Sequence, residues 1–413
     1  MFNRFKPISI SLSPNVQKDD VILALKLIFQ PWKWKNGGET EKLEKKFKKY
    51  LGVKYAFSFN GGRSSLFAIL KSLNLPKQSD VLLQAFTCNA VPNPILWAGL
   101  NPVYIDCSND FNIDTEKLKA LILTNKRKVL IVQHTFGLPA NMDEIIYIIR
   151  QNNLILIEDC AHALGSEYKG QKVGTFGDMA FFSFSRDKVI SCVYGGMAVT
   201  NDDEIGQKLG QLQKEFGQPS YFWILQQILH PILLHFIILP MYNFLNLGKI
   251  FLILSQWFHI LSKAVSWREK RGLKPEYFPR ALPNALAIIA QNQFNKLDRF
   301  NKHRQEISEL YFKELEYSNF ILPSKNGIFL RFAVKHPKAN EIIYQAWHKE
   351  NILLGDWYTT PIAPDDTKLN EIKYKIGDCP NAERLSKETL NLPTHINISM
   401  QDAQRIVNFL KKF

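Results

Sequence analysis

Cysteine is scarce in this sequence: Cys88, Cys107, Cys160, Cys192 and Cys379 are odd in number, widely spaced and free of any CxxC pair. That argues against a disulfide framework and a cysteine-rich zinc site, and a reducing compartment fits best. No low-complexity tract occurs, and 46% hydrophobic against 22% charged residues is the balance of an ordinary folded protein. Met1 to Pro14 alternates polar and apolar side chains without a continuous apolar run, so a secretory signal is not expected and the cytoplasm is the default. Zinc-finger and RNP motifs are lacking as well. Their absence matters because 52 Lys+Arg against 38 Asp+Glu leave a formal charge of +14, which favours anionic partners. The bases are scattered, at Lys42, Lys45, Lys46, Lys48 and Lys49, at Lys126, Arg127 and Lys128, and at Lys411 and Lys412. A phosphorylated substrate or an acidic membrane face is therefore expected ahead of nucleic acid.

Charge is missing altogether from residues 216 to 248, thirty-three positions without Asp, Glu, Lys or Arg. Tyr221–Leu239 falls just short of the about 20 apolar residues that a membrane span needs, and Gln226, Gln227, His230, Pro231 and His235 interrupt it. Ile250–Leu261 is apolar but too short to cross back. An in-plane or re-entrant anchor through residues 218–262 is the preferred reading, with burial against a partner subunit and a true span as the alternatives. Membrane contact would suit a lipid-linked substrate.

A chain of 413 residues outgrows a single core and suggests two domains. From about 18 to 200, helical patterns alternate with short apolar runs ending in polar residues, as repeated βα units do. Such runs are Tyr55–Phe59, Val103–Ile105, Val129–Val132 and Leu154–Ile157. The expectation is an α/β domain over 1–215, an apolar helical insertion over 216–262, and a smaller α+β domain over 263–413. The last opens with one long helix, Ala285–Leu315, and adds a strand at Ile328–Val334 and helices at Ala339–His348 and Met400–Lys411.

Four features could carry chemistry. Asn60-Gly61-Gly62-Arg63-Ser64-Ser65 lies between a strand and an apolar helical run, so free amides at a helix N-terminus could bind phosphate; a plain turn and cap is an equal reading. Asp159 ends an apolar strand, where a carboxylate could keep a pyridinium nitrogen protonated or simply cap a helix. His162 follows three residues on and could sit beside a cofactor or be a structural histidine. Lys188, an ordinary surface residue when taken alone, follows a strand bearing Ser183 and precedes Gly195-Gly196, which lets backbone approach a ligand closely.

The order of these motifs resembles the DegT/DnrJ/EryC1/StrS sugar aminotransferases. The resemblance runs through Gly62-Arg63-Ser64, Ala98–Val103 with Asp106, Gln133–Pro139, Glu158–Ala163, Phe182–Lys188, Cys379–Glu383 and Leu392-Pro393, nearly the whole chain. It implies a fold-type-I pyridoxal-phosphate enzyme, with a mainly parallel central sheet flanked by helices and a smaller α+β C-terminal domain. It implies pyridoxal 5′-phosphate as cofactor, Lys188 as its Schiff-base lysine, Asp159 on the pyridine nitrogen and His162 near the phenolic oxygen. Ser183, with backbone and side chains at Gly62, Arg63 and Ser64, would bind the phosphate. Cys88 stands where the family commonly has an aromatic stacked on the ring, and Phe278 where many members have an asparagine that reaches a partner subunit, with Arg280 in place. The implied reaction moves an amino group from glutamate to a keto-sugar, nucleotide-activated or lipid-linked, in cell-surface polysaccharide or amino-sugar synthesis by a homodimer. Two rivals remain: a pyridoxal-phosphate sugar dehydratase, which commonly has histidine at the Lys188 position, and a catalytically silent relative.

Overall fold

The computed structural model describes residues 6–122 and 129–413. Residues 1–5 and the basic cluster Lys126, Arg127 and Lys128 lie outside the described residues. Seven strands form the central sheet: β1 (Tyr55–Phe59), β2 (Asp80–Gln84), β3 (Asn101–Ile105), β4 (Val129–Gln133), β5 (Ile155–Asp159), β6 (Met179–Ser183) and β7 (Gly196–Thr200). They lie in the order β1-β7-β6-β5-β4-β2-β3. β7 alone runs against the direction of the other six strands, so the expected mainly parallel α/β sheet is present. All five residues of β4 and of β6 are buried, because helices cover both faces of such a sheet and leave no polar side to the strand.

Register brings the chemistry to one edge. Asp159 pairs with Gln133 on one side and Phe181 on the other, while Ser183 faces Gly196 and Gly196 faces Phe59. The carboxyl ends of β1, β4, β5 and β6 therefore line one rim, where open α/β sheets hold ligands. The expected run Leu154–Ile157 is in fact a strand through Asp159, which places Asp159 within the sheet rather than after it.

Helices α1 (Lys18–Ile28) and α2 (Gly62–Ser72) flank this sheet region, and α2 starts directly after the turn that leaves β1. Residues 221–257 form two helices. The first, α3 (Tyr221–Leu233), runs on into a π-helical turn at Leu234–Ile238, and α4 (Leu247–Trp257) follows. Tyr221–Ile238 has the length and composition of a span, yet 56% of it is buried inside the protein. Trp223, Ile224, Ile228 and Ile232 join the same core cluster as Val21, Ala24 and Leu27 of α1. Each of these large side chains gains about 1.5–3 kcal/mol from such burial. Gln226, Gln227 and His230, which break the apolar run, face inward too. Gln227 bonds Trp223 O at 2.8 Å and accepts from Ser262 Oγ at 2.7 Å, His230 Nδ1 meets Ser13 Oγ at 3.1 Å, and Gln226 reaches His259 O.

The long helix expected over 285–315 is two helices, α5 (Asn284–Phe294) and α6 (Leu297–Leu315). Lys296 breaks it with φ −103° and ψ 3°, and its ammonium is held 2.8 Å from both Asp19 and Asp20 at the start of α1. Neither proline nor glycine marks that break. Beyond it, β8 (Arg331–Lys335) pairs antiparallel with Thr389–Pro393, beside α7 (Ala339–Glu350) and α8 (Met400–Leu410). The expected strand and both helices are present, the strand beginning three residues later. Phe332, Val334, Leu392 and Ile406 pack in one cluster with Phe86, Phe111 and Phe136, tying the C-terminal elements to the loops at the sheet's rim.

Candidate active site

A cavity of about 280 Å³ opens at that rim, and Gly62, Arg63, Cys88, Asp159, His162, Ser183 and Lys188 all line it. Sequence positions spread over more than 120 residues thus converge, as the strand register requires. Ser64 alone of the expected set is not on the wall.

The glycine turn is built for close approach. Gly61 is extended, and the first helical bond of α2, Ser65 N–H to Gly61 O at 3.0 Å, leaves the amides of Gly62, Arg63 and Ser64 ahead of the ladder. A Cβ on Gly196 would stand 2.6 Å from Gly62 N, and one on Gly62 would stand 3.0 Å from Ser183 Cβ. Only glycine lets β7, β6 and the turn meet this tightly. The side chains of Ser64 and Arg63 have partners within the protein. Ser64 is buried and donates to Asn60 Oδ1 at 2.7 Å, while Arg63 pairs with the buried Glu269 and donates to Ala264 O at 2.9 Å. Both side chains satisfy protein partners, because each would otherwise be a buried polar group without one.

Lys188 and Asp159 share the cavity and each other's field. Burial lowers the Lys188 amine to about 8, against the pull of Cys88 and Asp159, and its Nζ lies 4.8 Å from the Trp357 ring centre. Burial raises Asp159 to about 6, although Ala161 N–H donates to its Oδ1 at 3.0 Å and Lys188 favours its charge. The backbone carrying Lys188 is fixed from behind: Asn15 donates to Lys188 O at 2.5 Å, and Arg304 donates to Val189 O at 2.8 Å. His162 is neutral, its pKa pushed well below the usual value by burial and then by Lys188 and Arg331. Its Nδ1 accepts from Phe136 N–H at 3.2 Å, and its ring stacks between Phe136 and Trp357. Ser183 Oγ lies 3.1 Å from Ser185 Oγ. Cys88, in a short strand paired with Ile362–Ala363, faces the cavity without an aromatic ring of its own.

The donor set fits pyridoxal 5′-phosphate: an amine, a carboxylate and a helix N-terminus share one small cavity, and Arg186 Nε and Asp187 Oδ1 are buried there without a hydrogen-bond partner among the described residues. By contrast, His134, Glu158 and Cys160 are spaced for a metal, but Glu158 is occupied. Its Oε1 accepts the N–H groups of Phe176 and Gly177 at 2.7 Å, and its Oε2 accepts that of Gly174 at 2.7 Å and meets His134 at 3.1 Å.

The model of the DegT/DnrJ/EryC1/StrS aminotransferase family matches residues 16–222 and 277–411. The chain belongs to that family. Like its aminotransferase relatives, it is a pyridoxal-phosphate enzyme of α/β architecture. An uncharacterized protein of Methanocaldococcus jannaschii is 28% identical over 91% of this chain and 90% of its own length. The UDP-4-amino-4,6-dideoxy-N-acetyl-beta-L-altrosamine transaminase of Campylobacter jejuni is 26% identical over 91% and 89%. Among solved structures, Helicobacter pylori PseC, an aminotransferase of pseudoaminic acid biosynthesis, superposes with a TM-score of 0.76 at 21% identity, covering 98% of this chain and 99% of its own. A likeness at that identity shows the aminotransferase fold alone. The family match skips residues 223–276, which hold most of the apolar insertion.

Several wall residues carried no signal in the sequence. Trp357, Tyr358 and Asp356 arrive from the C-terminal region, and Ala264 and Val265 from the chain just after the apolar insertion. Arg331, buried, lies over the Trp357 ring at 3.4 Å and 4.0 Å from Asp187. Phe278 lines this subunit's own cavity, under the Arg63 guanidinium, whereas Arg280 turns away to donate to Phe216 O at 3.0 Å.

Proposed function

We propose that this cavity transfers an amino group from glutamate to a keto-sugar, nucleotide-activated or lipid-linked, in amino-sugar or cell-surface polysaccharide synthesis. One observation carries the reading: the Lys188 amine and the Asp159 carboxylate line the same small cavity and act on each other's charge. Bound pyridoxal 5′-phosphate supplies the electron sink that lets a proton leave the carbon bearing the amine. The chain does the rest. Asp159 keeps the ring nitrogen protonated, and the amides of Gly62, Arg63 and Ser64 at the start of α2, with the Ser183 hydroxyl, hold the phosphate. His162, neutral, would lie beside the phenolic oxygen, and Cys88 would border the ring. Lys188 Nζ, lowered to about 8, has a neutral fraction large enough near pH 7 to take the proton from the amine-bearing carbon and return it two atoms along, on the far side of the nitrogen.

A nucleotide-activated acceptor is supported by relatives named for UDP- and GDP-linked sugars, among them the GDP-perosamine synthase of Caulobacter vibrioides, 38% identical over 43% of this chain and 48% of its own. Lys188 stands against the dehydratase reading, although a GDP-4-keto-6-deoxymannose-3-dehydratase shares the fold with a TM-score of 0.75 at 20% identity, covering 98% of this chain and 100% of its own. A homodimer in the cytoplasm completes the proposal; five free cysteines suit that compartment.

The test is the purified protein with glutamate and a panel of nucleotide-linked 3-keto and 4-keto sugars. The reading expects 2-oxoglutarate to form with one panel member, and borohydride to fix the cofactor on the peptide containing Lys188. Cofactor fixed elsewhere, or no 2-oxoglutarate with any acceptor, overturns it.

A further inference from the structure

Helix α4 has its apolar stripe on the outside. Leu247, Ile250, Ile253, Leu254 and Trp257 are exposed at helical spacing, whereas its buried positions are Gly248 and Ser255. Exposure reaches 63% at Ile253, 74% at Trp257 and 68% at Phe258 just beyond the helix. Water-facing helices show the reverse arrangement, and contiguous exposed apolar surface marks a contact yet to be made. At 11 residues, about 16 Å, α4 is far too short to cross an apolar layer of about 30 Å.

The charges around it say what the contact is. From 249 to 274 the chain holds Lys249, Lys263, Arg268, Lys270, Arg271 and Lys274 against one acid, Glu269. That acid is buried against Arg63, and Arg268 pairs with Glu276 and Lys270 with Asp366, so the outward positive charge of this stretch rests on Lys249, Lys263, Arg271 and Lys274. Trp267, 64% exposed, carries the guanidinium groups of Arg268 and Arg271 at 5.8 and 5.9 Å from its ring. An exposed apolar stripe ending in Trp257, followed in the chain by an exposed tryptophan with basic side chains on its ring, suits the boundary between acyl chains and anionic headgroups. A second copy suits it poorly, because a two-fold contact through this face would set one basic rim against the other.

We propose that α4 with Phe258 and Trp267 is a docking surface for an anionic lipid bilayer, lying in its plane without crossing it. The chain then runs from Trp257 to the cavity wall at Ala264 in seven residues, which keeps the catalytic cavity within about 25 Å of the docked face. Ser262 anchors that link, accepting from Arg186 of the cavity wall at 2.7 Å through its carbonyl.

The test floats the full-length chain, loaded with pyridoxal 5′-phosphate, with vesicles of phosphatidylcholine containing phosphatidylglycerol, and beside it the variant Ile253→Asp/Trp257→Asp/Phe258→Asp. The wild type should float with these vesicles, and less as salt rises. The variant should float at least about tenfold less, with unchanged circular dichroism, cofactor absorbance and solution mass. The proposal falls if the wild type stays at the bottom or if the variant floats equally well. It also falls if the variant changes the mass in solution, since the face would then join two copies.

Discussion

Around Lys188 the chain buries charge: Lys188, Asp159, Arg186 and Asp187 line one cavity, and Arg331 lies buried behind Trp357. Around α4 it does the opposite and holds Ile253, Trp257 and Phe258 out in water. Both arrangements cost stability, since buried ions and exposed apolar surface each run against the forces that fold the chain. The family match covers the first region and passes over the second.

The largest effect expected is in the cavity. On the proposed reading, Lys188→Ala should lower glutamate-dependent transamination by about 10³-fold or more and leave the fold intact, because it removes the group proposed to move the proton and nothing that packs the core. Circular dichroism and single-turnover assays read the two halves. Asp159→Asn comes next, with a loss of about 100-fold. It also sharpens the electrostatics. Wild-type protein stripped of cofactor should take up pyridoxal 5′-phosphate faster as pH rises, with a midpoint near 8, because only the neutral Lys188 amine can react. The Asp159 carboxylate favours the charged amine, so its removal should move that midpoint to lower pH. A midpoint that stays fixed in Asp159→Asn would show that the two groups do not share a field.

How much of this was legible beforehand depends on how local each signal is. Tyr55–Phe59 ends at a glycine turn, and the strand has those bounds. Asp159, Ser183 and Lys188 sit at or just after strand ends, so sheet topology alone gathers them at one rim. Trp357 and Arg331 reach the same place through tertiary packing from the C-terminal elements, and nothing in their local sequence records it. The same holds for Ser64 and Arg63: their positions in the turn were readable, but not that Asn60 and Glu269 would take up their side chains. In residues 221–238 composition revealed apolarity without revealing the buried face. Gln226, Gln227 and His230 read as interruptions of a lipid-facing run, whereas all three point into the protein.

The glycine cradle gives a smaller effect, in stability rather than rate. A methyl group at Gly196 would press on the backbone of Gly61 and Gly62 at 2.6 Å, where no flexible side chain can yield. Gly196→Ala should cost about 1–3 kcal/mol and weaken retention of pyridoxal 5′-phosphate. Thermal melts with and without cofactor separate the two losses. If the melting temperature holds while retention falls, the turn can shift away, and the cradle is looser than the contacts imply.

The smallest effect is expected at Ile253, and its smallness is informative. In water the side chain of Ile253 is largely solvated, so Ile253→Asp should change stability by no more than about 0.5 kcal/mol. Ile228, in the same apolar insertion but fully buried in α3, provides the contrast, because Ile228→Asp would place a carboxylate in the core and cost several kcal/mol. Denaturant titrations of the two variants, side by side and free of lipid, compare the two helices directly. Equal losses would mean that α4 is packed within the protein in solution, and its apolar face would then belong to the same core as α3. A loss confined to Ile228→Asp leaves α4 stably folded with its apolar stripe in water, held through its inner face and free to meet a surface with the outer one.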